Sequence, residues 1–516
     1  MLKETAQGIP YLTLREGTDQ GVFRSAVYET EAWNDLVASW NADTPKGSSV
    51  EVQVRARIPA YGGEWTDPIS WGEWSPWIKR SCPDQTDSHP RKNGEKGGWA
   101  HAYSFHGAGD SSMNIRDGFT ADAFQILCVV RREAKAPVFG RDVKAEGIQV
   151  VSPLSQESPR LYLLAVTFKN TESPLWKDPC HWEEEASFSS PEAKRAHEQT
   201  KEASSVLLSV PAISQMKRDP AYADCICSAT CVTMLLDSKG EDLLPEEVVM
   251  GNYDYGFGGN GNWSFSAAIA GAFGYRSFVH YGSFQSLRRE LDQGNGCTLS
   301  VRYSKEKDGK YPFLENAPCN TGGHLINIVG YRLDPASGEY IYYANDPAAE
   351  GDDQVLHRVY QESQLSAAWS RRAMYLVHEK VEGAGGFAHT RREGKLEEVR
   401  STWKDGERAE EGVVDAEKDA LSQGTFRLRL NDGEELVLPQ DFREKPRANY
   451  GMHGSIFYTV ENRSYDLPAG VKRVTANDKA HYEHIEITES GGLRLPKEAD
   501  TVYVITNSGD SYRFYK

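Results

Sequence analysis

Asp224-Cys225-Ile226-Cys227-Ser228-Ala229-Thr230-Cys231 leads directly into Val232-Thr233-Met234-Leu235-Leu236. This pattern is a loop that delivers a cysteine to the first turn of a buried helix. Such a position suits a nucleophilic thiol. A helix N-terminus carries partial positive charge and free N–H groups, and both favour thiolate over thiol. Taken alone, the stretch offers three thiols and no way to choose among them.

A candidate base lies further along. His324 sits at the start of the apolar run Gly322-Gly323-His324-Leu325-Ile326-Asn327-Ile328-Val329-Gly330-Tyr331. The next run is Tyr340-Ile341-Tyr342-Tyr343-Ala344-Asn345-Asp346, closed by Pro347. Between them, Asp334-Pro335-Ala336-Ser337-Gly338 is a strong turn signal. A hairpin folded about that turn predicts Asp346 directly opposite His324, with both side chains on one face. A carboxylate beside an imidazole fixes its tautomer and stabilises the imidazolium. The order Cys227, His324, Asp346 is that of papain-like folds, in which a thiolate attacks and a histidine moves the proton. Donors for a developing oxyanion are also required. The candidates are the backbone N–H of Cys227 and the side-chain amide of Gln215.

The flanking sequence divides the chain into parts. Residues 1–175 are expected to form an all-β sandwich. Val50, Val52, Val54, Ala56 and Ile58 alternate with polar residues, and 124–130 and 161–168 are further strands. Trp65, Trp71, Trp74 and Trp77 crowd one segment. They are sandwich packing, or a stacking platform for a glycan. Residues 176–206 are a linker with a charged helix-like piece. Residues 207–380 are an α+β unit, helices first and an antiparallel sheet afterwards. Residues 381–424 are a charged connection. Residues 425–516 are a small β module opened by a hairpin around Asn431-Asp432-Gly433.

Composition bounds the function. At 516 residues the chain exceeds one ordinary core. A net charge of −17 argues against nucleic-acid binding, which needs a basic surface. No apolar run has the length to span a bilayer. No apolar segment of a signal peptide follows Met1, which predicts a cytoplasmic protein. Eight cysteines in a chain this long are expected as reduced thiols rather than a disulfide framework. Zinc held by Cys225, Cys227 and Cys231 is disfavoured, because this spacing fits structural zinc motifs poorly. No metal or cofactor is expected.

Several stretches carry a resemblance. They are Val210-Pro211-Ala212-Ile213-Ser214-Gln215-Met216, Cys227-Ser228-Ala229-Thr230-Cys231-Val232-Thr233-Met234-Leu235, Gly261-Asn262-Trp263-Ser264-Phe265, Gly323-His324-Leu325 and Asn345-Asp346-Pro347-Ala348-Ala349. Together they resemble papain-fold peptidases related to the bacteriocin-processing, double-glycine-leader family, in its uncharacterised bacterial C39-like branch. Ser39 to Arg55 also resembles the β module that precedes the peptidase unit there. The resemblance implies Cys227 as nucleophile, His324 as general base, Asp346 as its orienter and Gln215 as an oxyanion donor. Where the family reads Cys-Ser-Pro-Thr-Ser, this chain has Ala229 and Cys231. Cys225, just ahead of the nucleophile, is a candidate to resolve a sulfenic acid on Cys227.

The expectation is a three-part protein that hydrolyses a peptide or related amide through an acyl-thioester on Cys227. The alternative is a catalytically silent papain-fold adaptor that binds ligands through its β modules. Trp263 is expected either as a cleft wall or as ordinary core.

Overall fold

The computed structural model describes residues 1–87, 100–102, 112–136, 157–173, 176, 205–218 and 223–387, and beyond these the strands between 391 and 515. The helix-like piece at 190–203 lies outside the described residues, as does most of the linker around it. The structure is mostly β, with few helices and several sheets.

The N-terminal part builds two antiparallel sheets from β1 (Leu2–Glu4), β2 (Pro10–Leu12), β3 (Gln20–Arg24), β4 (Tyr28–Trp33), β5 (Asp35–Asp43), β6 (Ser49–Ile58), β7 (Glu64–Trp65), β8 (Ile69–Trp74), β9 (Gln85–Thr86), β10 (Ala100–Ala102), β11 (Met113–Ile115), β12 (Ala121–Arg131) and β13 (Arg160–Lys169). One sheet runs β1-β2-β13-β5-β11-β10-β9; the other runs β3-β12-β6-β7, with β4 also on β12 and β8 on β6. On β6, Val50, Val52, Val54, Ala56 and Ile58 are wholly buried and the polar residues between them are half-exposed. The period-two pattern therefore reads correctly. The tryptophan cluster is packing. Trp71, Trp74 and Trp77 are buried, and Trp65 lies beneath the Arg55 guanidinium at 4.7 Å. Buried indoles present no face to a sugar, so the glycan platform is corrected to a core.

The central part is one antiparallel sheet with helices on both faces. Its strands are β14 (Ser205–Leu207), β15 (Tyr275–Tyr281), β16 (Cys297–Tyr303), β17 (Thr321–Leu333), β18 (Tyr340–Asn345), β19 (Arg358–Gln361) and β20 (Ala373–Lys380), in the order β15-β20-β16-β17-β18-β19 with β14 against β17. Its helices are α1 (Cys227–Ser238), α2 (Pro245–Asn252), α3 (Trp263–Ala272), α4 (Phe284–Asp292), α5 (Asp352–Val355) and α6 (Glu362–Ala368). Leu325, Val329, Tyr375 and Val377 join the core of α1, α2 and α3. Ile326, Ile328, Met374 and Leu376 join that of α4 and α6. Alternate residues of each strand thus face different layers, as the pleat requires. The expected order, helices first and sheet afterwards, holds only in part: β15 precedes α4, and α5 and α6 fall among the later strands.

The sandwich is not a detached appendage. Its buried residues and those of α1–α3 form one continuous core. β5 is buried from Leu36 to Asp43, so both of its faces are covered. β15 is an edge strand, and an edge exposes a row of unpaired backbone groups. Side chains of the sandwich fill that row. The N–H groups of Ser277, Val279 and Tyr281 donate to Asn41 Oδ1, Ser39 Oγ and Thr167 Oγ1 at 3.0, 3.2 and 2.9 Å. Asn41 Nδ2 returns a bond to Ser277 O at 2.8 Å. The Asn41 amide thereby takes the place of a neighbouring strand. Gly271 of α3 makes room for it, since a Cβ there would lie 2.5 Å from Asn41 Nδ2.

The C-terminal strands also meet the central part. Strand Ser511–Tyr515 pairs in parallel with strand Arg391–Lys395, which falls inside the stretch expected as a charged connection. Ser511 Oγ donates to Glu247 Oε1 of α2 at 2.6 Å, and Arg513 pairs with Asp242 and Glu247. The hairpin predicted around Asn431-Asp432-Gly433 pairs Thr425–Arg429 with Glu435–Pro439.

Leucine has nearly the shape of asparagine and none of its polar atoms. Asn41→Leu should therefore leave the Ser277 N–H and carbonyl buried and unpaired, and destabilise the protein by about 2–5 kcal/mol. Urea unfolding measures this; an unchanged midpoint would show that the edge does not depend on Asn41.

Candidate active site

α1 begins at Cys227 because Ile226 leaves the helical range, at φ −104° and ψ 18°. No side chain caps this end. The first-turn N–H groups are therefore left to other acceptors. Everything from Ser228 to Leu236 is buried, whereas Cys227 itself is half-buried. Ser228 turns inward, where its hydroxyl meets Ser266 Oγ at 2.7 Å and Tyr375 Oη at 3.3 Å.

Two contacts set α1 along β17. Cys231 Sγ donates to Leu325 O at 3.3 Å, and Asn327 Nδ2 donates to Cys231 O at 2.9 Å. They hold the second turn of α1 beside Leu325 and Asn327. Cys227 stands one turn earlier, beside His324, where its sulfur helps to raise the imidazole pKa. Cys231 is buried, and burial pushes its pKa well above the usual thiol value. It is a core thiol. Cys225 ends a short 3-10 turn, Ala223–Cys225, and is half-buried.

On the other side of the ring, His324 Nε2 and Asp346 Oδ1 are 2.8 Å apart. The expected pairing needs correction. The ladder matches Asn327 with Asn345 and Ile328 with Ala344, and then shifts so that Gly330 faces Tyr343. Pairing stops at Asn345, so Asp346 is not opposite His324. Continued, the same register would place it opposite Ile326, two residues along. A slip of two residues keeps the face, whereas a slip of one reverses it. Asp346 consequently reaches His324 as a diagonal neighbour. The shift is a β-bulge, in which Val329 is the extra residue of β17. It reverses the alternation, so Ile326, Ile328 and Tyr331 all enter the same core.

The pair is strongly coupled. Burial alone would lower the His324 pKa. Asp346 beside it, and the Cys227 sulfur, more than reverse this and hold it well above the usual histidine range. Burial likewise opposes charge on Asp346. His324, a hydroxyl from Tyr303 and the Ala348 N–H outweigh it and keep its pKa below the usual carboxylate value. Tyr303 Oη and Tyr360 Oη both donate to Asp346 Oδ2, at 2.8 and 3.0 Å. The sequence reading missed both tyrosines. They end or edge distant strands, and nothing in their spacing aims them at Asp346.

Gln215 is buried in a short 3-10 turn, Gln215–Lys217. Its N–H donates to Pro347 O at 2.9 Å, and its Nε2 donates to Ala223 O at 2.8 Å. It is thus tied to both the Asp346 loop and the turn that leads into Cys227. An amide nitrogen has two hydrogens, and Ala223 uses one. Trp263 is buried within the core of α1–α3, so the cleft-wall expectation gives way to the core one. Among the described residues, seven cysteines are thiols rather than disulfide partners. Among those residues, no group of three or more His, Cys, Asp or Glu side chains is arranged to hold a metal ion. A cavity of about 420 Å³ bounded by Asp43, Lys46, Trp77, Arg160 and Gly383–Gly386 is lined by none of Cys227, His324, Asp346 or Gln215.

The linkage has a definite sign. The depressed Asp346 pKa stabilises the fold fully above the usual 3.8, and this is lost as pH falls through the folded value. The raised His324 pKa stabilises it fully below the usual 6.5, and this is lost as pH rises through the folded value. Both contributions are complete between those pH values. In Asp346→Asn, burial acts on His324 without the carboxylate. Its ring should then titrate at lower pH than in the wild type, read by NMR of the imidazole C–H signals. Identical titrations would assign the shift elsewhere.

No helix among the described residues is long and apolar enough to cross a membrane. No curated protein matches the chain. Two family models do. Residues 6–91 match the Peptidase C39 N-terminal domain, and residues 207–376, which hold α1, His324 and Asp346, match the Peptidase C39 like family. Over residues 207–376 the chain is thus similar to C39-like peptidases, and over residues 6–91 to the N-terminal domain of such peptidases.

Proposed function

We propose that this protein is a papain-like cysteine peptidase that cleaves a peptide or related amide. The observation that carries the reading is the placement of His324, with the Cys227 sulfur on one side and Asp346 Oδ1 at 2.8 Å on the other. His324, held as imidazolium by Asp346, carries the proton that Cys227 gives up, and the thiolate attacks the carbonyl carbon. The negative charge that develops on the carbonyl oxygen falls at the uncapped N-terminus of α1. The Cys227 N–H and the second Nε2 hydrogen of Gln215 receive it there. The carbon–nitrogen bond breaks, the amine leaves with the proton from His324, and an acyl-thioester remains on Cys227. Water, deprotonated by His324, then splits that thioester and restores the thiol. An amine acceptor in place of water would give transpeptidation from the same intermediate.

The silent-adaptor alternative leaves the arrangement without a task. It is separated by chemistry: Cys227 should alkylate rapidly with iodoacetamide at pH 6–7, where an inert thiol does not. Cys227→Ala should abolish turnover of a peptide library while thermal unfolding stays that of the wild type. Full activity in that variant would remove Cys227 from the mechanism and direct attention to Cys225. Gln215→Ala should lower kcat by about 10²-fold or more, with KM changed far less. An unchanged kcat would take Gln215 out of the oxyanion site.

A further inference from the structure

Asp346 is wholly buried and meets four donors. His324 Nε2 and the Ala348 N–H share Oδ1, at 2.8 and 3.1 Å. Tyr303 Oη and Tyr360 Oη share Oδ2, at 2.8 and 3.0 Å. A carboxylate offers about four acceptor positions, so this one is filled. The two tyrosines come from different elements. Tyr303 ends β16, two residues past Val301, the ladder partner of His324. Its ring stands edge-on to the imidazole, with centroids 5.9 Å apart. Tyr360 lies on the short strand β19, opposite Tyr342 of β18. A hydroxyl held only for packing would be satisfied by any nearby carbonyl. Here two hydroxyls converge on the one oxygen that His324 does not use.

We propose that Tyr303 and Tyr360 are paired positioning residues: together they occupy Asp346 Oδ2 and so keep Oδ1 turned to His324. The inference rests on the reading of Cys227, His324 and Asp346 as the reacting constellation. Its chemistry is simple. Hydrogen bonds to a carboxylate favour its charged form. Two neutral donors on Oδ2 keep Asp346 ionised in a buried site and prevent its rotation away from the ring. A fixed, ionised Asp346 stabilises the imidazolium, and the imidazolium stabilises the Cys227 thiolate. Because both hydroxyls land on one atom, each covers for the loss of the other. Removing one should therefore matter little, and removing both should matter greatly.

The ionisable groups around this pair are Cys227 and Cys231 from α1, Tyr303 from β16, Cys319 from the segment before β17, and Tyr360, with Arg358 beside it, from β19. The test is the pH dependence of Cys227 alkylation by iodoacetamide, localised by fragmentation mass spectrometry so that Cys225 and Cys319 are scored separately. Tyr303→Phe and Tyr360→Phe should each slow alkylation at pH 6 by two- to threefold. The double variant should slow it more than tenfold and move the acid limb of the profile up by at least half a pH unit. A double variant that unfolds at lower temperature but keeps the wild-type profile overturns the proposal, as do single effects that simply multiply. If the double variant does not fold, Tyr303→Phe is compared with and without Asp346→Asn. Acting through Asp346, it adds no shift when the carboxylate is gone; the same shift in both backgrounds overturns the proposal. A wild-type Cys227 no more reactive than free cysteine overturns the peptidase reading and this inference with it. A reactive wild type with an unmoved double variant overturns this inference alone.

Discussion

Alternation along a strand decides whether His324 and Asp346 can meet. Side chains of β17 point to opposite faces in turn, so the parity of the hairpin register matters more than its value. Between the turn and Gly330 the ladder runs in one register, with Tyr331 opposite Tyr342. Carried on unbroken, it would set Asp346 opposite Asn327. That side chain faces α1 and bonds the Cys231 carbonyl. The bulge at Val329 changes the parity once, and only beyond it do Asp346 and His324 share a face. Gly330, next to the bulge, is also where β14 crosses closely: a Cβ there would lie 2.3 Å from Val206 O. One local irregularity thus serves both the meeting of His324 and Asp346 and the approach of a third strand.

This explains what could be read from the sequence and what could not. The helix that starts at Cys227, the strands around His324 and Asp346, and the turn between them were all legible, because apolar periodicity and turn residues are local signals. The proximity of His324 to Asp346 was legible too, although for a partly wrong reason. The expected register differs from the real one by two residues, and two residues preserve parity. The bulge was invisible, since Ile328-Val329-Gly330 reads as ordinary strand. Tyr303 and Tyr360 were invisible for another reason. Each is one aromatic residue among many on buried strands, and only the folded sheet brings them to a single carboxylate oxygen. Trp71, Trp74 and Trp77 show the converse, in that a conspicuous composition is buried in the core.

The site is a case of burial made tolerable by saturation. A charged carboxylate taken out of water is costly unless its lone pairs are filled. Asp346 meets this condition with a ring nitrogen, a backbone N–H and two phenols, and each comes from a segment that some other contact already fixes. Ser214 and Gln215, bonded to Ala349 and Pro347, close the loop that follows. Asp346 is therefore a structural junction as much as a chemical group. Its rigidity passes to His324, and the α1–β17 contacts around Cys231 pass a matching rigidity to Cys227.

The side chains along β15 bear on the order in which the molecule comes into being. A chain is made from its N-terminus, and domains fold as units in that order. Strand β15 is synthesised long before β20, the only strand that pairs with it among the described residues. In that interval the residues of the sandwich, Asn41, Ser39 and Thr167 among them, have already been made. The nascent strand can therefore meet the polar row of the sandwich before its own sheet has been made. Exchange of one half between relatives would then succeed only where the polar row on the sandwich matches the strand it receives.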